Sequence, residues 1–295
     1  MKFYLGVTDN DWFDYLRGLP GIDEVNFWQP SPGPTFQALE KGEIFLFKLH
    51  RSSRTRHRDL IAGGGVFASY SVLPISLAWE AFEERNGAAS LAEMRRQLLR
   101  YRRVADNPYN DFQIGCIILT QPFFFEESIW FPAPEWSQSI VRGKGYDLDR
   151  ESGRFIWNNV LHAWEHLQIF NLDREAHRIE EEHARYGKET TIRPRLGQGA
   201  FRILVTDAYD RACAITEEHS LPALEAAHIK PFTESGPHAI NNGLLLRSDF
   251  HRLFDRGYIT VSPEYKIEIS RQLREEFKNG RSYYPFQGRS LSHLP

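Results

Sequence analysis

This chain has almost no cysteine, no excess of positive charge and no long apolar run, and each absence removes a class of protein. Only two cysteines, Cys116 and Cys213, occur among 295 residues. Neither a disulfide framework nor a four-cysteine zinc site can be built from two. No apolar stretch approaches the ~20 residues that a membrane-spanning helix needs. The opening Met1-Lys2-Phe3-Tyr4-Leu5-Gly6 lacks the apolar core of a secretory signal, so a cytoplasmic location and no membrane partner are expected. The formal net charge of -3, taken as an average, disfavours a polyanionic partner. Local patches matter more than the total, however. Arg51 to Arg58 reads Arg-Ser-Ser-Arg-Thr-Arg-His-Arg, without an acid, and Arg193, Arg195 and Arg202 stand close together. Arg54, Arg56, Arg193, Arg195 and Arg202 are therefore candidates for holding a nucleic-acid backbone, beside the plainer reading of solvated basic surface.

What is there is length and apolar content enough for two compact domains, with 41% hydrophobic residues. The most informative stretch runs from Leu224 to Asp255. It reads Leu-Glu-Ala-Ala-His-Ile-Lys-Pro, then Gly236-Pro237-His238, then Asn241-Asn242-Gly243-Leu-Leu-Leu-Arg-Ser248-Asp249-Phe-His251-Arg-Leu-Phe-Asp255. His228 lies between apolar residues as the end of a strand would, and Lys230-Pro231 breaks that strand. Asn242-Gly243 suits a turn into the apolar run Leu244 to Leu246. Ser248 is expected to cap a helix that carries Asp249 and His251 in its first turn.

This His, Asn, His series on strand, loop and helix resembles the HNH endonuclease family, whose ββα-metal fold holds a divalent cation between a hairpin and a short helix. The resemblance implies that His228 is the general base, that Asn242 braces the catalytic loop, and that His251 with Asp249 holds the metal. It also puts Lys230 at the DNA backbone. Where the family often carries an acidic ligand directly before its first His, this chain has Ala227, and Glu225 is the nearest acid that could reach in. One nitrogen and one carboxylate make a thin shell for magnesium. Mg2+ or Mn2+ is the first expectation, and Ni2+ or Zn2+ fits as well. His238 reads as a loop brace rather than a ligand, and Asp255 as a residue that pairs within the helix end.

Ahead of this stretch the character is different. Up to about Asp149, the segments Val25–Trp28, Glu43–Leu49, Leu60–Tyr70 and Ile114–Thr120 read as strands. Ser76–Glu84 and Ser90–Tyr101 read as helices opening on serine caps. From Arg150 to Tyr186, Trp157, Leu161, Trp164 and Leu167 recur at helical spacing and suggest a connector that packs on one side. His162 and His166 have the spacing of helical zinc ligands, but Ala163 stands where a zinc protease needs Glu, so a surface pair is expected. Gly63-Gly64-Gly65 fits a bulge or close backbone approach, because it lacks the Lys and Ser/Thr of a phosphate loop.

The segments Gly6–Trp12, Asn26–Pro30 and Ile61–Tyr70 are similar to the PUA-like superfamily, particularly EVE and ASCH domains, small β-barrels associated with modified bases. The resemblance implies an aromatic pocket for a base extruded from the stack, with Trp28, Phe67, Tyr70 and Trp79 as walls and Asn10 or Asn26 bonding the base edge. The expected fold class is α+β: a PUA-like β-barrel over 1–150, a helical connector over 151–190 and a ββα-metal domain over 191–295. The expected function is a modification-dependent endonuclease on double-stranded DNA carrying 5-methyl- or 5-hydroxymethylcytosine. One such site cuts one strand, so duplex cleavage implies a homodimer or two successive nicks. Three alternatives stay open: a nuclease without modification dependence, an idle binding module, and a reader of RNA.

Overall fold

In the computed structural model the described residues are 2–33, 35–51, 59–102, 107, 110–179, 197–230, 236–277 and 281–292. The candidate backbone contacts Arg54, Arg56, Arg193 and Arg195 lie outside them. The chain divides into two compact units, Met1–Arg195 and Leu196–Pro295. Among the described residues no helix is long and apolar enough to cross a membrane.

The first unit contains β1 (Lys2–Thr8), α1 (Asn10–Arg17), β2 (Glu24–Gln29), β3 (Ile44–Leu49), β4 (Leu60–Pro74), α2 (Ile75–Phe82), α3 (Leu91–Leu99), β5 (Gln113–Phe124), β6 (Phe131–Pro132), β7 (Gly143–Asp147) and α4 (Glu151–Ile179). Seven strands make one sheet in the order β2-β5-β4-β3-β1-β7, with β6 paired to β4. All pairings are antiparallel except β1 with β3. The barrel expected from the sequence is not closed: β2 and β7 end the sheet and do not pair with each other among the described residues. The unit is mixed α+β with an open sheet.

The glycine run explains part of its shape. A Cβ on Gly63 would stand 2.3 Å from the Phe123 carbonyl oxygen, and one on Gly64 would stand 2.5 Å from that of Phe45. The run therefore lets neighbouring backbones approach closely, and the register of β4 against β5 shifts between Gly64 and Val66.

Helix starts follow their caps in one case and not in the other. Ser90 caps α3, its hydroxyl accepting from Glu93 N–H at 3.2 Å. Ser76 does not cap α2. That helix starts at Ile75 after Pro74, and the Ser76 hydroxyl and amide both donate to Asp111 instead. In α4 the buried stripe is Ile156, Val160 and Ala163, which join Phe3, Leu5, Ile44 and Leu46 in one apolar cluster. Trp157 and Trp164 reach that cluster from its flank, and Leu161 is 44% exposed. The stripe is thus one position away from the one expected, because the two indoles pack from the side. His162 and His166 are exposed neighbours with ring centroids 4.7 Å apart.

The second unit contains α5 (Gln198–Ala208), β8 (Leu224–His228), β9 (Gly243–Arg247), α6 (Ser248–Asp255), β10 (Ile259–Val261), β11 (Ile267–Ile269) and α7 (Gln272–Phe277). β8 and β9 form an antiparallel hairpin that pairs His228 with Gly243 and Leu224 with Arg247. α6 follows β9 without a break, which makes the ββα unit. Its core gathers Phe201, Val205, Tyr209, Cys213, Ala227, Leu244 to Leu246 and Phe250.

Gly87 carries a testable constraint on the first unit. It has φ +75°, and a Cβ there would stand 2.1 Å from the Trp12 ring. Gly87→Ala is expected to lower stability by about 3 kcal/mol, from left-handed strain and overpacking together. Urea unfolding followed by tryptophan fluorescence would measure it, and a loss below ~0.5 kcal/mol would contradict this account.

Candidate functional site

His228 ends β8, and two neighbouring rings hold its imidazole. The ring stacks on Phe201 of α5 with centroids 4.0 Å apart and planes 12° off parallel. Its Nε2 lies 2.9 Å from Nδ1 of His238. Gly243 sits opposite it across the hairpin. The absence of a side chain there leaves room for α5, because a Cβ on Gly243 would stand 2.3 Å from Val205 and 3.2 Å from Phe201. Burial lowers the His228 pKa from the ordinary 6.5; the charges of His238 and His251 push the same way and that of Asp255 opposes them. The ring is therefore neutral at pH 7 and able to accept a proton.

Asn242, 8% exposed, clamps the segment that follows His228. Its Oδ1 accepts from the Lys230 backbone N–H at 2.9 Å, and its Nδ2 donates to the carbonyls of Lys230 at 3.1 Å and Pro237 at 2.9 Å. One amide thus grips both ends of the loop after the strand, satisfying buried donor and acceptor at once. The Lys230 side chain is exposed beside His228, and Arg202 is half-buried on α5.

His251 lies in the first turn of α6 between two carboxylates. Its Nδ1 is 2.6 Å from Oε2 of Glu225, and its Nε2 is 3.3 Å from Oδ2 of Asp255, four residues on. Asp249, expected from the sequence to stand beside His251 as a ligand, has both oxygens taken by Arg247 at 2.7 and 2.8 Å, with the Tyr283 hydroxyl at 3.3 Å. The Arg247 guanidinium holds the Asp249 carboxyl below the usual carboxylate range. Ser248 is not the cap residue of α6; Arg247 occupies that place, without a side-chain cap bond. The Arg247–Asp249 pair fastens the first turn instead. Ala227 is fully buried in the core, so its place in the strand offers no site for a hydrated carboxylate.

The same stretch stands out by comparison. Residues 213–262 match the family model of the HNH endonucleases. No curated protein matches the chain. The match covers the hairpin and α6 and points to a nuclease that binds DNA. HNH nucleases generally use a divalent metal ion.

The donor chemistry around His251 bears on such an ion. Among the described residues no group of three or more His, Cys, Asp or Glu side chains gathers to hold a metal. Two donors do converge. A carboxylate oxygen accepts, so Glu225 takes its hydrogen bond from Nδ1–H of His251, as outer carboxylates do for metal-binding histidines, and Nε2 faces Asp255. The Nε2 to Oδ2 separation of 3.3 Å is near the ~3 Å edge of a six-coordinate shell with bonds of ~2.1 Å. The pair would supply two ligands to a divalent cation and would leave the rest of its shell to water and phosphate.

The first unit has a separate cavity of about 340 Å³. Its walls include Trp12, Trp28 and Tyr101, with Asp9, His50 and Arg142 among the polar lining. Asp9 joins two walls: it accepts from the Trp12 N–H at 3.0 Å and from the Tyr101 hydroxyl at 2.5 Å.

Of the six residues expected in a base pocket, Trp28 lines this cavity and the other five do not. Asn26 is fully buried and donates to the Asn86 side chain at 2.8 Å. Asn10 donates to the His50 carbonyl at 3.1 Å. Phe67 packs on Phe36, with centroids 5.5 Å apart, and Tyr70 meets the same ring at 6.3 Å. Trp79 is half-buried on α2. Burial accounts for Phe67, Asn10 and Asn26, which lie in the interior; Tyr70 and Trp79 are partly buried and stand outside this cavity. Phe201, Tyr101 and Tyr283 had no signal in motif spacing, since each reaches its site from a distant element.

The Asn242 clamp makes a measurable prediction. Asn242→Ala leaves the Lys230 N–H and carbonyl without this partner, and the Pro237 carbonyl with the Ala239 N–H alone, and should destabilise the second unit by about 2–3 kcal/mol. Denaturant unfolding should show the loss, and hydrogen exchange should show it at the Lys230 amide. An unchanged midpoint with an unchanged exchange rate would contradict the clamp.

Proposed function

We propose that this chain is a DNA endonuclease in which His228 is the general base. The observation that carries the reading is a neutral, stacked imidazole at the end of a ββα hairpin, within electrostatic reach of His251 and Asp255. Phosphodiester hydrolysis needs a base for water, charge stabilisation at phosphorus and fixed positions for both. His228 takes a proton from water, and the water oxygen bonds to phosphorus as the bond to the leaving nucleoside oxygen breaks. The leaving oxygen takes its proton from solvent. His251 Nε2 and Asp255 would hold the divalent cation, with Glu225 orienting the His251 ring; when bound, the cation supplies Lewis-acid stabilisation of phosphate charge. Asn242 keeps the loop in place, and Lys230 and Arg202 bind backbone phosphates. Asp249, committed to Arg247, keeps the first turn of α6 in shape.

For the first unit we propose a reader of modified cytosine, 5-methyl or 5-hydroxymethyl, that takes a flipped base into the Trp28 cavity. Its volume lies at the lower end of the ~300–1,000 Å³ usual for ligand sites. Indole walls with a few polar groups suit a base that has lost its stacking.

His228→Ala is expected to lower cleavage by about 10²–10⁴-fold while leaving DNA affinity within about twofold; cleavage at the parent rate would rule out this base. For the parent, log(kcat/KM) should be level above pH 6.5 and fall with unit slope at lower pH, because the folded pKa lies below 6.5. Phe201→Ala reduces the burial and should move that midpoint up toward 6.5.

The reader is tested on plain, 5-methylated and 5-hydroxymethylated duplexes with Mg2+ or Mn2+. Preference for a modified duplex, reduced by Trp28→Ala, is the expected result. Equal cutting of all three leaves a nuclease without modification dependence.

A further inference from the structure

We propose that His238 is a positioning residue for this hydrolysis: its Nδ1 accepts a hydrogen bond from His228 Nε2–H and holds His228 in the tautomer that leaves Nδ1 free to take a proton. The proposal rests on the nuclease reading and adds to it the group that sets which imidazole nitrogen acts.

A neutral imidazole has one N–H and one lone pair. The 2.9 Å contact joins His228 Nε2 to His238 Nδ1, so one of the two must donate. If His238 donated, the His228 lone pair at Nε2 would be consumed and its proton would sit on Nδ1, leaving no nitrogen to accept from water. If His228 donates, Nδ1 keeps its lone pair, and among the described residues Nδ1 has no hydrogen-bond partner. Only the second arrangement makes His228 a base.

The surroundings oppose reversal. A ring flip, which would put Cε1 in place of Nε2 and break the contact with His238, is opposed by the stack with Phe201, at 4.0 Å and 12°. His238 is held as well: its ring packs at 5.5 Å from Phe201, and the carbonyl just before it, that of Pro237, accepts from Asn242 Nδ2 and from Ala239 N–H, each at 2.9 Å. The Asn242 amide therefore fixes the chain two residues after His228 and one residue before His238. When water gives its proton to Nδ1, His228 becomes an imidazolium whose Nε2–H still donates to His238. That bond strengthens with the charge. The proton stays on His228 and none passes to His238.

The experiment compares the full chain with His238→Ala and His238→Asn, whose side-chain oxygen can stand near the lost Nδ1. Long-range ¹H–¹⁵N spectra, with the His228 ring assigned by loss of its signals in His228→Asn, should report Nε2–H in the parent and in His238→Asn, and a mixture in His238→Ala. Cleavage with Mg2+ or Mn2+ should show kcat about 10–100-fold lower in His238→Ala, an unchanged KM for DNA, and recovery of most of the rate in His238→Asn. An Nδ1–H tautomer in the parent overturns the proposal. So does a parental kcat in His238→Ala, or a rate that His238→Asn fails to restore while both variants melt at a lower temperature. If the parent cuts no DNA yet the tautomer shifts as described, the positioning stands and the nuclease reading fails.

Discussion

The side-chain amide of Asn242 is the constraint on which the site depends. Its three hydrogen bonds tie the backbone after His228 to the backbone before His238. The hairpin fixes where β8 ends, and this clamp, with the Ile229 N–H donating to the Asn242 carbonyl at 2.9 Å, fixes the direction the chain takes from there. The His228 ring then lies against the Phe201 face and bonds to His238. A buried amide can do this because its oxygen and nitrogen satisfy backbone groups of opposite character.

Two histidines of one short segment are given opposite environments. His228 is stacked on a phenyl ring and partly removed from water, which favours the neutral form. His251 stands between two carboxylates, Glu225 at its Nδ1 and Asp255 at its Nε2. Divergent surroundings of this kind separate an acid–base role from a ligand role without any change of residue type. Asp249 shows the converse. It has the right type and sequence position for a ligand, yet Arg247, two residues away, binds it through both oxygens.

Many aromatic residues of the first unit lie in its interior. Phe67, Tyr70 and Trp79 have the residue types of a base pocket, but they do not line the cavity, which is framed instead by Trp12, Trp28 and Tyr101 from α1, β2 and the segment after α3. Asp9 joins two of those walls by capping α1 and accepting from Tyr101. The cavity is thus a product of how helix starts meet the sheet edge, and no local pattern of aromatic spacing marks it.

Residue order by itself determined the elements whose signals are local. The strands around Val25, Ile44, Leu60 and Ile114, the Ser90 cap, the hairpin into α6 and the His228, Asn242, His251 series are set by alternation, turn residues and side-chain chemistry within a few positions. Only the tertiary structure decided what depends on groups far apart in the chain. It leaves the sheet open, since closure depends on how the end strands β2 and β7 are placed. It turns α4 so that Ile156 and Val160 face the core, and it puts Phe201 on His228, Glu225 and Asp255 on His251, and Arg247 on Asp249. The physical reason is that short-range propensity fixes backbone conformation, whereas the partner of a long polar or aromatic side chain is chosen by burial and hydrogen-bond satisfaction in the folded whole.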